Sequence, residues 1–247
     1  MKNIENKIII ITGASSGIGA AVAKRMAREG AVVALAARRE DKLKEVRDEI
    51  AALGGKAEYY LVDVTIQDQV ERMINAVVER FGRVDVIVNN AGLMAMAPLA
   101  AGKVGEWDRM IDINVKGLLY GVAAVWPFFE KQNSGHFVNI SSVAGLKVSA
   151  GIGTVYSATK YAVRAISEGI RVESAGKFRS TVIYPGFVES ELMYGSSDEA
   201  SRKGIMAAYE KFAISADRIG DAVVYAVSQP EDASVNEITI RASAQEF

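Results

Sequence analysis

Tyr156 and Lys160 are the pair in this 247-residue chain whose types and spacing most directly offer chemistry. In Tyr156-Ser157-Ala158-Thr159-Lys160 they stand four positions apart, so on a helix both side chains leave one face and can share one site. A phenol ordinarily titrates near ~10, too high for efficient proton exchange near neutrality, and an adjacent ammonium favours the phenolate. The pair therefore predicts a proton-exchanging tyrosine whose pKa is depressed by Lys160. Ser142, near the end of the preceding strand, adds a hydroxyl able to donate to a carbonyl oxygen, with Ser141 as the neighbouring candidate. By itself Tyr-x-x-x-Lys also occurs on exposed helix faces, so its meaning depends on its surroundings.

The surroundings begin with Thr12-Gly13-Ala14-Ser15-Ser16-Gly17-Ile18-Gly19, between a first apolar strand and a first helix. There a tight turn brings backbone N–H groups and a helix N-terminus up to a pyrophosphate. Gly13 lets the chain turn, Gly17 removes a side chain from the path of the phosphates, and Gly19 allows helix to pack closely on strand. At the end of the second strand a carboxylate reads a ribose 2′-hydroxyl, whereas arginine accommodates a 2′-phosphate. Arg38 and Arg39 stand there, so NADP(H) is expected over NAD(H), with Arg38 favoured of the two. Glu40 makes the local charge mixed, and a solvated arginine pair opening the next helix is the alternative. Asp63, followed by Val64, suits either an acceptor for the adenine amino group or a turn cap. Asn89-Asn90-Ala91-Gly92 ends the fourth strand, where ligands bind in open α/β sheets; its amides can line a cofactor or fix neighbouring loops.

Strand and helix alternate throughout. Apolar strands are expected over 7–11, 31–37, 57–62, 84–88, 137–140, 180–184 and 237–241. Helices are expected over 17–28, 41–53, 70–81, 106–129, 155–174, 200–212 and 216–228, with Gly30 ending the first. Parallel neighbours need crossovers, usually helical, so the alternation predicts one α/β domain over 1–247. Its architecture is a Rossmann-type, doubly wound parallel sheet with helices on both faces. The Gly-, Ser- and acid-rich stretch 189–201 suits either a mobile loop over a site or an ordinary surface loop, and a variable substrate loop is expected over about 189–212.

Composition narrows the alternatives. Lys plus Arg number 29 against 30 acids, a net charge of −1 that gives no electrostatic reason to expect nucleic acid or an anionic membrane as partner. There is no cysteine, which excludes disulfides, thiolate metal clusters and a cysteine nucleophile, and a cytoplasmic location is expected. The apolar run 8–11 is too short for a signal-peptide core or a spanning helix. His136 has no ligand partners at metal spacing, so no metal is expected, and it reads as a surface or turn histidine.

Together these residues resemble the short-chain dehydrogenase/reductase family over nearly the whole chain. Thr12 to Gly19, Asn89 to Gly92, Ser142, Tyr156 with Lys160, and Pro185-Gly186 match its motifs. The resemblance implies hydride transfer between a nicotinamide and a carbonyl or carbinol carbon. Tyr156 would exchange the proton, Ser142 orient the oxygen, and Lys160 also hold the nicotinamide ribose. It implies that Asn114 supports a water linking Lys160 to solvent. It also places Pro185, Gly186, Val188 and Ser190 beside the nicotinamide, with Ser190 standing where the family usually has threonine, and it implies a homotetramer. The stretch from Gly145 to Thr154 looks one residue longer than in near relatives. Within the family, Ala36-Ala37-Arg38-Arg39, Asn89 to Met94 and Val235 to Arg241 resemble bacterial NADP-dependent reductases grouped with serine 3-dehydrogenase-like and clavulanate-type enzymes.

Expected pocket walls are Met94, Met96, Leu146, Ile152, Phe187, Met193, Met206 and Tyr209, mostly apolar, which predicts a hydrophobic ketone or its alcohol as substrate. A serine-type hydroxy amino acid dehydrogenase and a non-catalytic dinucleotide-binding redox sensor are the alternatives. An epimerase or dehydratase would ordinarily carry a longer substrate domain.

Overall fold

The computed structural model describes residues 3–149 and 151–246, leaving only Ala150 of the 145–154 stretch outside the described residues. Among the described residues, seven parallel strands, 8–12, 32–37, 56–61, 86–89, 136–140, 179–185 and 237–240, numbered β1 to β7 in chain order, form one sheet in the order β3-β2-β1-β4-β5-β6-β7. β1 (Ile8–Thr12) lies near its middle and is buried along its whole length, because its four isoleucines serve both faces. Ile9 and Ile11 pack with Val22 and Met26 of α1 (Gly17–Arg28), Leu43 of α2 (Glu40–Ala52) and Val223 of α8 (Asp217–Ser228). Ile8 and Ile10 pack on the opposite side, with Val70 and Ile74 of α3 (Gln67–Phe81), Val125 of α5 (Gly117–Gln132) and Ile170 of α6 (Thr154–Glu173). Each such side chain contributes about 1.5–3 kcal/mol by leaving water, which fixes the helices over the strands.

β2 (Val32–Ala37) pairs with β1 through Ile8↔Val32 to Thr12↔Ala36, and β4 (Val86–Asn89) pairs on its other side through Ile9↔Val86. The chain runs outward to the edge strand β3 (Lys56–Leu61) and then returns to β4. The direction of winding therefore reverses between β1 and β4, where the carboxyl ends of the strands open a crevice. β5 (His136–Ile140), β6 (Arg179–Pro185) and β7 (Glu237–Ile240) extend the sheet on that side.

Two departures from the sequence expectations have simple causes. The helix expected over 106–129 is α4 (Val104–Ile111), then a π turn over Asp112–Lys116, then α5. The apolar pattern runs through the turn without a break, so periodicity does not reveal the extra residue. His136 is neither in a turn nor at the surface. β5 begins with it, it is 1% exposed, and its Nε2 lies 2.7 Å from Thr181 Oγ1. Burial, with Arg179 and Lys7 nearby, holds its pKa well below the usual imidazole range, so the ring is neutral. The 189–201 stretch contains one 3₁₀ turn, Glu191–Tyr194, before α7 (Glu199–Phe212). Among the described residues, no helix is long and apolar enough to cross a membrane.

Candidate active site

At the carboxyl edge of the sheet a groove of about 380 Å³ runs from Arg38, Arg39 and Asp63 past the glycine loop to Ser142, Tyr156 and Lys160. Its floor follows from β1. Gly13 leaves the strand at φ +66°, and a Cβ there would lie 2.9 Å from Ala91 Cα and from Asn90 Nδ2. Asn90 Nδ2 donates to the carbonyls of Thr12 at 2.9 Å and Gly13 at 3.3 Å. Thr12 Oγ1 accepts from the N–H groups of Asn90 and Ala91 at 3.0 and 3.1 Å. Asn90 thus fixes the glycine loop. A Cβ on Gly19 would stand 2.3 Å from the Gly13 carbonyl oxygen, the close helix-to-strand approach expected of it, and one on Gly17 would meet Ser190 Cβ at 3.1 Å.

At the end that carries Arg38, Arg39 and Asp63 the two arginines divide. Arg38 is 66% exposed, with NH1 3.8 Å from Asp63 Oδ2. Arg39 is the one that turns to the glycine loop, its NH2 donating to Ser15 Oγ at 3.1 Å and Ser16 Oγ at 2.7 Å. Asp63 Oδ1 accepts from the backbone N–H and hydroxyl of Thr65 at 3.0 and 2.8 Å, the cap arrangement. Burial raises the Asp63 pKa, but the Thr65 hydrogen bonds and Arg38 outweigh it and hold the carboxyl below its usual value.

At the other end, α6 starts at Thr154 and presents Tyr156 and Lys160 inward, 6% and 5% exposed. Lys160 Nζ donates to the Ile140 carbonyl at 2.9 Å and lies 5.8 Å from the Tyr156 ring centroid. Burial pushes the ammonium down to about 8. The expected depression of the phenol is not what the structure gives. Burial raises the Tyr156 pKa above its ordinary value, Tyr209 adds to the rise, and a hydrogen bond with Ser142 opposes it. Burial desolvates the phenolate, and the Lys160 ammonium is directed at the Ile140 carbonyl instead. The two serines separate clearly. Both border the groove, but Ser141 Oγ donates to the Lys160 carbonyl at 2.9 Å, while Ser142 Oγ accepts from the Ala144 N–H at 3.1 Å and hydrogen-bonds with Tyr156.

Asn114 occupies the π turn. Its side chain accepts from the Leu93 N–H at 2.8 Å and donates to the Leu93 carbonyl at 2.9 Å and Thr159 Oγ1 at 3.0 Å. Asn114, Ile140 and Lys160 also border a cavity of about 10 Å³, roughly the room one water needs.

Ile18, Val64, Ala91, Gly92, Pro185, Gly186, Val188, Ser190 and Tyr209 all border the groove. Met94, Met96, Ile152, Phe187, Met193 and Tyr209 pack with Tyr156 in one apolar cluster. Leu146 belongs instead to a cluster with Leu118, Val163, Val182 and Tyr184. Met206 is 40% exposed, because Ile205 and Tyr209, four positions apart, take the inward face of α7. Glu191 and Leu192, inside the expected substrate stretch 189–212, and Leu93, Ile113 and Ile140, beside a motif or at a strand end, also line the groove.

A family model described as short chain dehydrogenase matches residues 7–201. The chain belongs to that family. An uncharacterized oxidoreductase of Listeria monocytogenes is 46% identical over 245 residues, covering 98% of each chain. An alcohol dehydrogenase from the archaeon Thermococcus sibiricus, solved with 5-hydroxy-NADP, superposes with a TM-score of 0.88 at 30% identity, covering 98% of this chain and 99% of that one. A short chain dehydrogenase/reductase from Burkholderia phymatum, solved with NAD, superposes at 0.89 with 27% identity over 97% and 90%. Membership makes the protein an oxidoreductase that uses a nicotinamide cofactor. The groove fits such a cofactor: the glycine loop, the Ser15 and Ser16 hydroxyls and the guanidinium donors of Arg38 and Arg39 line one end, and a phenol and a lysine close the other.

Proposed function

We propose that the protein is an NADP(H)-dependent carbonyl reductase or alcohol dehydrogenase, interconverting an apolar ketone and its secondary alcohol. The observation that carries this reading is the meeting of Tyr156, Ser142 and Lys160 at one end of a groove whose other end holds the glycine loop and two arginines. When bound, the nicotinamide supplies or accepts the hydride. In the reductive direction Ser142 Oγ donates a hydrogen bond to the carbonyl oxygen and Tyr156 Oη gives it a proton. A buried phenol held above its ordinary pKa stays protonated through neutrality, the state a proton donor requires. Lys160 stabilises the phenolate left behind. With a pKa of about 8 it can return a proton to Tyr156 near physiological pH. The cavity beside Asn114 gives room for a water through which Lys160 is reprotonated.

Arg39 and Arg38 support NADP(H), since a guanidinium fork matches a phosphate. The methionines, Ile152 and Phe187 around Tyr156 support an apolar substrate. Leu119 of α5 and Val172 of α6, 41% and 59% exposed, support a homotetramer assembled through those helices. Steady-state kinetics with NADPH and NADH across aryl ketones, aliphatic ketones, β-keto esters and hydroxy amino acids test the reading. The highest kcat/KM is expected for NADPH with an aryl or long aliphatic ketone. A higher value with NADH, or with a hydroxy amino acid, would overturn the cofactor or the substrate assignment respectively.

A further inference from the structure

Glu191 borders the groove and pairs with Arg39 and Ser16, the arginine and serine at the end assigned above to the adenosine. Its carboxylate meets Arg39 in a fork-to-fork pair, NH1 to Oε1 at 3.2 Å and NH2 to Oε2 at 2.8 Å. Ser16 Oγ donates to the same Oε2 at 2.9 Å. These partners lie 152 and 175 positions away in sequence, so the contact ties the 3₁₀ turn after β6 to both the glycine loop and the end of β2. A guanidinium fork with a converging hydroxyl is a donor set for a phosphomonoester as well as for a carboxylate. Here an internal carboxylate holds it. Those hydrogen bonds also keep the Glu191 carboxyl ionised, its pKa below the usual value through Arg39 and Ser16.

We propose that Glu191 is a cofactor-specificity residue, an internal anion that occupies the Arg39–Ser16 cradle and must be displaced by the 2′-phosphate of NADP(H) but not by NAD(H). The proposal rests on the assignment of that cradle to the 2′-phosphate. A phosphate carrying about 1.5 to 2 negative charges cannot share one guanidinium fork with a carboxylate without like-charge repulsion. The two anions therefore compete. A dinucleotide with a bare ribose leaves the Glu191–Arg39 pair in place. Arg39 favours the phosphorylated cofactor while Glu191 opposes it, so the balance between them sets the preference.

The test is equilibrium binding, by titration calorimetry, of NADPH, NADH, adenosine 2′,5′-bisphosphate and AMP to the wild type, Glu191→Gln and Arg39→Ala. Glu191→Gln keeps the shape and a hydrogen-bonding side chain while removing the charge. It is expected to tighten NADPH and the bisphosphate by on the order of fivefold, the scale of an exposed ion pair, and to leave NADH and AMP within about twofold. Tightening of all four ligands alike would overturn the proposal and make the contact a simple strap. Unchanged or weaker NADPH binding in Glu191→Gln would overturn it too. Failure of the underlying cofactor assignment looks different. The wild type would then bind the bisphosphate no better than AMP, and Arg39→Ala would not weaken it.

Discussion

Lys160 is held 5% exposed, its ammonium donating to the Ile140 carbonyl and, among the described residues, with no carboxylate as partner. Its pKa falls from 10.5 to about 8, so the folded protein bears a cost for charging it on the order of 3 kcal/mol. The sign follows from which state binds the proton more readily. Below about pH 8 the lysine is charged in both folded and unfolded chains and the cost is complete; above 10.5 it is neutral in both and the cost disappears. Lys160→Met is therefore expected to unfold at higher denaturant concentration than the wild type at pH 7, by roughly 1–3 kcal/mol, with the gap closing toward pH 10. An equal or less stable variant at pH 7 would show that the ammonium is not strained. At this scale the sequence was legible where chemistry is written locally: Tyr156, Lys160 and Ser142 meet as their spacing suggests. It was silent where side chains choose between partners. Nothing in Arg38-Arg39 says which arginine turns toward Ser16, and nothing near Glu191 says that it pairs with Arg39 and Ser16. The phenol pKa lies above the expected depression because spacing reports the nearby charge and not the burial that opposes it.

Elements carry these residues to their places. The β1-to-α1 connection works because α1 lies almost on the strand, with no room at Gly19 between the Gly13 carbonyl and Asn90. Gly19→Ala would force a methyl against backbone and against an amide already committed to the Thr12 carbonyl. The expected cost is about 1–3 kcal/mol in chemical denaturation, together with weaker dinucleotide binding as the loop shifts. Wild-type stability in that variant would mean the approach is not close. Strand and helix positions were readable from apolar runs and their glycine stops, usually to within a residue or two. The π turn around Asn114 was not, because inserting one residue leaves a helical apolar pattern unbroken. His136 was misplaced for a related reason. A polar residue opening an apolar strand resembles a turn until its partner Thr181, on the neighbouring strand, is known.

In the whole molecule, reversal of the winding between β1 and β4 gathers the strand ends that carry Gly13, Arg39, Asp63, Asn90, Ser142 and Gly186 around one groove. The alternation of strands and helices announced this architecture, since parallel strands admit few others of that length. The shape of the apolar cluster around Tyr156 was less legible, because it depends on which faces of α7 and its preceding turn are buried. Met206 on the outer face and Leu146 in a separate cluster are the result. The central claim is that Tyr156 delivers the proton at the end of a dinucleotide groove that binds independently of it. Single-turnover oxidation of NADPH by an aryl ketone, measured beside NADPH binding in Tyr156→Phe, tests this most directly. Binding within about threefold of wild type and a rate lower by about 10²–10⁴ are expected; turnover at the wild-type rate would contradict the account.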